Sequence, residues 1–499
     1  MLRKLRIALA AIFFVGLVLL FVGVCTDWLG WMASLQFLPS LLAGNLVVII
    51  GVLLLTIVLG RLYCSVICPM GVTQDIIIFL RRQYGKMMTR CQAKRLQKLK
   101  AAGKELPKPR NYAKKFSYST PNRLFRYAFL FLLVASFIFF GQLLVSLFAP
   151  YSAWGRIVRS IIGLAQGESI APALLITAGV TLVLVVTVAW TWGRQAVCNT
   201  ICPVGFILGC FSRYAMFRPV IDKSKCVGCK KCGQGCKASC IDMDAHSIDY
   251  SRCVVCFDCI NTCQEGAIKY VWAWGKKNES AQKENSAPAD GSRRTFIATS
   301  VVALGAASGV ANAQNKRLDG ALADVVDKQS PERNERLVPF GAGSVDNFYS
   351  SCTACQLCVS NCPNNVLRPS TDIEHFLQPV MGYEKGYCRP ECTTCSEVCP
   401  AGAIKLIDKA EKLVTKIGTA KVNLELCFAS TGEASCGNCS RHCPVGAVRM
   451  VKSPDFKFTI PVVNEAQCIG CGACEFLCPS RPISAITVDG VRQHSKTIN

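Results

Sequence analysis

The spacing of the cysteines constrains this chain more than any other feature. Thirty-two cysteines lie in 499 residues, and most obey one rule, C-x2-C-x2-C-x3-C. Three thiolates at successive two-residue gaps wrap one cubane, and the fourth reaches the neighbouring cluster. Cys226, Cys229, Cys232 and Cys236 form one set, and Cys253, Cys256, Cys259 and Cys263 a second. The crossing rule puts Cys226, Cys229 and Cys232 with Cys263 on one [4Fe–4S] cluster, and Cys253, Cys256 and Cys259 with Cys236 on the other. Zinc also takes four thiolates, but its sites use two separated pairs. Lys237 and Gln264 follow these sets where proline is usual, and Cys240 is an extra thiol, read as buried or free.

Four further sets follow, each ending in Cys-Pro: Cys352, Cys355, Cys358, Cys362; Cys388, Cys392, Cys395, Cys399; Cys427, Cys436, Cys439, Cys443; and Cys468, Cys471, Cys474, Cys478. They suffice for four more cubanes. The second set opens with a three-residue gap and the third with an eight-residue gap, so the pairing among them stays open. Disulfide frameworks belong to short secreted chains with irregular spacing. A row of clusters moves single electrons, with potentials tuned by hydrogen bonds and burial.

Four apolar stretches have the roughly 20 residues a bilayer crossing needs: Leu5–Val24, Leu41–Leu59, Tyr127–Phe148 and Ala171–Trp192. Basic residues at the start, in the loop from Arg81 to Arg126 and after Trp192 lie on one side, whereas Thr26–Ser40 has no Lys or Arg. The positive-inside rule makes the basic side cytoplasmic. Residues 1–313 hold 36 Lys and Arg against 13 Asp and Glu, and residues 314–499 hold 20 against 19. The basicity is therefore a topology signal of the membrane half, and nucleic acid is not an implied partner.

After the second and fourth stretches the chain repeats itself: GRLYCSVICPMG at 60–71 and GRQAVCNTICPVG at 193–205. Pro disfavours helix at the residue before it, so the backbone should break near each second cysteine. Cys64, Cys68, Cys198 and Cys202 have three readings: ligands of one further cluster, redox dithiols, or inert packing. Asp75 is a candidate proton acceptor for quinol oxidation, with an ordinary surface or capping carboxylate as the plainer reading. His246, His375, His442 and His494 all lie outside the apolar stretches and no C-x-x-C-H motif occurs, which disfavours haem.

Residues 275–291 read as a polar linker. Residues 292–314 read as a twin-arginine signal, with Ser292-Arg293-Arg294 ahead of a weakly apolar stretch and Ala311-Asn312-Ala313 in cleavage-site form. The alternative is a fifth helix. The expected fold class is thus a membrane all-α unit of four transmembrane helices, plus α+β bacterial ferredoxin-like domains binding [4Fe–4S] clusters. The boundaries are 1–218 for the membrane domain, 219–274 for a cytoplasmic two-cluster domain, and 315–499 for a four-cluster polyferredoxin.

On these motifs, residues 1 to about 275 resemble NapH, the membrane ferredoxin-type subunit of periplasmic nitrate reductase systems. Residues 292–499 resemble NapG and the MauM-type ferredoxins. The chain looks like a fusion of the two. The resemblance implies a bacterial inner-membrane protein that takes electrons from the quinol pool to a periplasmic redox partner or reductase, with residues 315–499 periplasmic. Similar modules serve nitrous-oxide respiration, methylamine dehydrogenase maturation and copper handling, so nitrate is not implied. An assembly or maturation factor supplying electrons or redox thiols is the alternative. About 30 Å of hydrocarbon would separate the cytoplasmic clusters from the exported ones.

Overall fold

Runs of Leu, Val, Ile and Phe without breakers form the first helices. The computed structural model describes the chain apart from residues 25, 102–115, 121–122, 141–142, 168–169, 195–196, 275–316, 319–323 and 498–499. The linker and the twin-arginine segment therefore lie outside the described residues.

The duplication seen in the sequence is also a duplication of elements. The first half comprises α1 (Leu2–Val22), α2 (Thr26–Ser34), α3 (Phe37–Leu42), α4 (Leu46–Leu59), α5 (Tyr63–Val66) and α6 (Pro69–Ala101). The second comprises α7 (Arg123–Phe140), α8 (Leu143–Phe148), α9 (Pro150–Ala165), α10 (Pro172–Trp192), a π-helical turn at Val197–Ile201 and α11 (Pro203–Ser212). Each half runs as a long helix, a pair of shorter helices, an apolar helix, a Gly-Arg turn carrying two cysteines, and a helix opened by Pro. The break comes at the second cysteine both times, because Pro69 and Pro203 begin the next helix, where the missing N–H costs nothing. Cys202 caps α11, its sulfur accepting from Gly205 N at 3.4 Å.

Four equal crossings are not what the helices provide. Among the described residues two have the length and composition of a full crossing, α1 and α10, each 21 residues, or about 31 Å at 1.5 Å per residue. The stretch 41–59 breaks at 43–45: Gly44 takes a left-handed φ of 65° and the Asn45 side chain accepts from Val48 N. This leaves α4 with 14 residues. The stretch 127–148 divides between α7 and α8. Hydropathy reads composition, and a Gly-Asn turn costs a helix without changing it. Leu9, Ile12, Val47, Ile50, Val180 and Val183 are exposed along these helices, an apolar girdle of the kind that seeks lipid or a partner.

Both ferredoxin units are small loops of chain closed by strands. Phe217–Ile221 pairs antiparallel with Ile268–Trp272, Ile221 opposite Ile268, enclosing both sets of the first unit. In the C-terminal region Thr415–Val422 pairs with Ile486–Lys496, enclosing the third and fourth sets. The two units dock at opposite ends of α1. Arg3 Nε lies 2.9 Å from Asp258 Oδ1 in the first unit, whereas Asn361 Nδ2 of the C-terminal region donates to Leu20 O at 3.3 Å. About 25 Å of helix separates those residues.

Candidate iron–sulfur centres

The cysteines group around cavities, and the groups follow the crossing rule. Cys226, Cys229, Cys232 and Cys263 line one cavity; Cys253, Cys256, Cys259 and Cys236 line another. Short helices at Lys231–Gly235 and Asp258–Thr262 hold the third cysteine-bearing turns, each entered through a left-handed residue, Lys230 at φ 56° and Phe257 at φ 60°. That turn is what directs consecutive thiols inward. Cys240 is buried, 3.6 Å from Cys236 Sγ, and lines the second cavity as a fifth thiol.

The pairing left open by the C-terminal spacings is visible in space. Cys388, Cys392 and Cys395 share a cavity with Cys362, and Cys427, Cys436 and Cys439 share one with Cys478. Burial pushes the Cys352 and Cys355 thiols up, and Cys399 adds to both, which puts Cys399 with the first set. Burial likewise raises the Cys468 thiol, joined by Cys443. The first set therefore exchanges its fourth cysteine with the second, and the third with the fourth. Among the described residues no three His, Cys, Asp or Glu side chains converge as ligands of one ion.

The two Gly-Arg turns form a third kind of site, at the seam between the repeats. Cys64, Cys68, Cys198 and Cys202 line one cavity of about 280 Å³, with Tyr63, Gln74 and Arg194 as its polar wall. The arginines are exchanged across the seam. Arg61 Nη2 donates to Cys198 O at 3.1 Å, and Arg194 Nη2 donates to Cys64 O. Each also approaches the sulfur of its own repeat, Arg61 to Cys64 Sγ and Arg194 to Cys198 Sγ, both at 3.8 Å. The Pro-x-Gly ending is explained by the same crossing. A Cβ on Gly71 would strike the Cys64 carbonyl, and one on Gly205 the Cys198 carbonyl.

Asp75 is neither a surface carboxylate nor a free base. It is paired with Arg6 and Lys237 at 2.8 Å and with Arg194 at 3.4 Å. Burial opposes its ionisation, but Lys237, Arg194 and Arg6 outweigh that and hold it well below the usual carboxylate range. A carboxylate so held is a poor proton acceptor, and its work is to position the arginine and tie α6 to the first ferredoxin unit. The roles of Arg61, Arg194 and Gln74 are not legible in the sequence. The repeated Gly-Arg was the available signal for the first two, but nothing local says that the two arginines exchange partners.

Comparison with known proteins agrees with this chemistry. A family described as 4Fe-4S binding domain matches residues 41–86 and 172–223, the two repeats around the seam. A 4Fe-4S dicluster domain matches residues 434–481. The methylamine utilization ferredoxin-type protein MauM of Methylorubrum extorquens is 30% identical over 169 residues, 32% of this chain and 74% of the relative. The ferredoxin-type protein NapF of Escherichia coli K12 is 26% identical over 158 residues, 31% of this chain and 86% of that protein. An uncharacterized protein of Methanocaldococcus jannaschii is 29% identical over 73 residues, 15% of this chain, which spans only 29% of that relative. With iron–sulfur electron transfer as its chemistry, this chain belongs to the family of ferredoxin-type 4Fe-4S proteins that includes MauM.

Proposed function

We propose that the chain is a multi-pass protein of the bacterial inner membrane, a NapH-like unit fused to a NapG-like polyferredoxin. It passes electrons from the quinol pool through six [4Fe–4S] clusters to a periplasmic redox partner. The observation that carries this reading is the placement of cysteine cavities at both ends of α1, with apolar helices between them. The twin-arginine motif at Arg293-Arg294 supports export of residues 315–499, since clusters are inserted in a reducing cytoplasm. Arg82, in the basic stretch, donates to Gly235 O at 2.7 Å, so the basic loop and the first ferredoxin unit share one side, the cytoplasmic one by charge. Quinol has an apolar approach, since Phe148, Val180 and Leu184 line the seam cavity and are themselves exposed on the helices.

Reduction of the quinone pool in isolated membranes tests the donor. The expected result is the appearance of reduced-cluster signals by electron paramagnetic resonance. Clusters that stay oxidised under quinol but are reduced by dithionite would rule quinol out. They would favour the maturation role, in which deletion leaves a client enzyme made but lacking its cofactor.

A further inference from the structure

We propose that Cys64, Cys68, Cys198 and Cys202 ligate a further iron–sulfur cluster at the seam of the two repeats, and that it relays electrons between the ferredoxin units at the two ends of α1. The inference rests on the electron-transfer reading but not on quinol as the donor.

The charge around the seam points to an anionic occupant. Arg61 is fully buried, and its partners are Asn199 Oδ1 at 2.7 Å, Ser251 O at 3.0 Å, Cys198 O and Cys64 Sγ. None of these is a carboxylate. A buried cation is costly unless it is paired, and a cubane held by four thiolates is anionic in both oxidation states. Gln74 supplies a second, independent sign. It is fully buried, its Oε1 accepts from the Cys198 thiol at 3.3 Å, and its Nε2 has no partner. The amide turned over presents that N–H to the Cys198 sulfur, the sense a ligating thiolate needs. Inert packing explains neither an arginine buried without a carboxylate nor the orphaned amide.

The seam touches both neighbours. On one side, Arg61 joins Cys64 Sγ to the carbonyl of Ser251, two residues before Cys253. Arg194 N donates at 2.8 Å to the carbonyl of Lys237, next to Cys236. Both lead to the cluster held by Cys253, Cys256, Cys259 and Cys236. On the other side, Pro150 and Ala153 of α9 line the seam cavity, and Gly155 of the same helix is so close to Cys355 that a Cβ there would strike its carbonyl. A single helix therefore separates the seam from the cluster of Cys352, Cys355, Cys358 and Cys399. Each transfer is a one-electron exchange: the donor cluster is oxidised, the seam cluster is reduced and then reoxidised by the next cluster. No bond is made and no proton is required.

The test uses the full chain in membranes. Cys68→Ser and Cys202→Ser should each lose about four iron atoms and four sulfides per chain, one cubane's worth, while the ferredoxin signals persist. In sealed vesicles with the Cys226–Cys263 unit outward, external dithionite should reduce both units of the parent protein. In the variants it should reduce only the outward one. Unchanged iron and sulfide, or undiminished reduction of the inward unit, overturns the proposal. Should the serine variants fail to fold, Gln74→Leu keeps it testable: the midpoint of one centre should fall while the others hold, and wild-type midpoints throughout would overturn it. Failure of quinol alone to reduce the parent protein would count against the donor and leave these results standing.

Discussion

Replacing Arg61 with alanine will dismantle the junction between the membrane repeats. The guanidinium is fully buried and ties three elements at once: its own turn through Cys64, the opposite turn through Cys198 O and Asn199, and the first ferredoxin unit through Ser251 O. Hydrogen bonds from a charged donor contribute about 1.5–3 kcal/mol each and are not additive. Each buried carbonyl or amide left without its partner costs about 1–3 kcal/mol more, the desolvation penalty of the group. The expected outcome is a fall of many degrees in the thermal midpoint of the detergent-solubilised chain, or its disappearance from membranes. Arg61→Lys should recover part of this, because an ammonium keeps the charge but loses the planar fork. A midpoint unmoved by Arg61→Ala would mean that the reciprocal arginine crossing does not hold the repeats together.

Gly205→Ala will have the second large effect, and for a different reason. The added Cβ meets the Cys198 carbonyl, a backbone atom, with Arg61 Nη2 on its other flank. Neither can step aside without moving the turn that carries Cys198 and Cys202. Overpacking of this kind costs about 1–3 kcal/mol, and here it should also open the cavity, so that Cys202 gains reactivity toward a thiol label. Gly71→Ala should behave alike, meeting the Cys64 carbonyl and Arg194. Gly51→Ala is the control: nothing lies within 4 Å of its Cβ, and alanine is the better helix former by about 1 kcal/mol. Equal behaviour of Gly51→Ala and Gly205→Ala would dismiss the close-approach explanation of Pro-x-Gly.

What could be read in advance was what is written locally. The partition of Cys226 to Cys263 follows from two-residue gaps, because the turn that points three thiols inward is itself local. The exchange of Cys443 and Cys478 depends on the loop that the strands Thr415–Val422 and Ile486–Lys496 enclose, and that of Cys362 and Cys399 on how the chain folds back through the hairpin of Leu367–Pro369 with Pro379–Met381 between the two sets. Irregular gaps at 388–392 and 427–436 do not encode that. The turn at Gly44-Asn45 was legible as chemistry but hidden by a hydropathy window. Asp75 was misjudged because two of its partners, Arg194 and Lys237, are distant in sequence and reach it only once the repeats and the ferredoxin unit have docked.

The central claim is that these thiols hold iron–sulfur clusters that carry electrons, and chemical analysis of the purified full chain tests it most directly. Iron and acid-labile sulfide should be present in equal amounts at about four of each per cubane, with low-temperature paramagnetic signals appearing on reduction by dithionite. Iron and sulfide near zero, or zinc bound in their place with no signal on reduction, would contradict it.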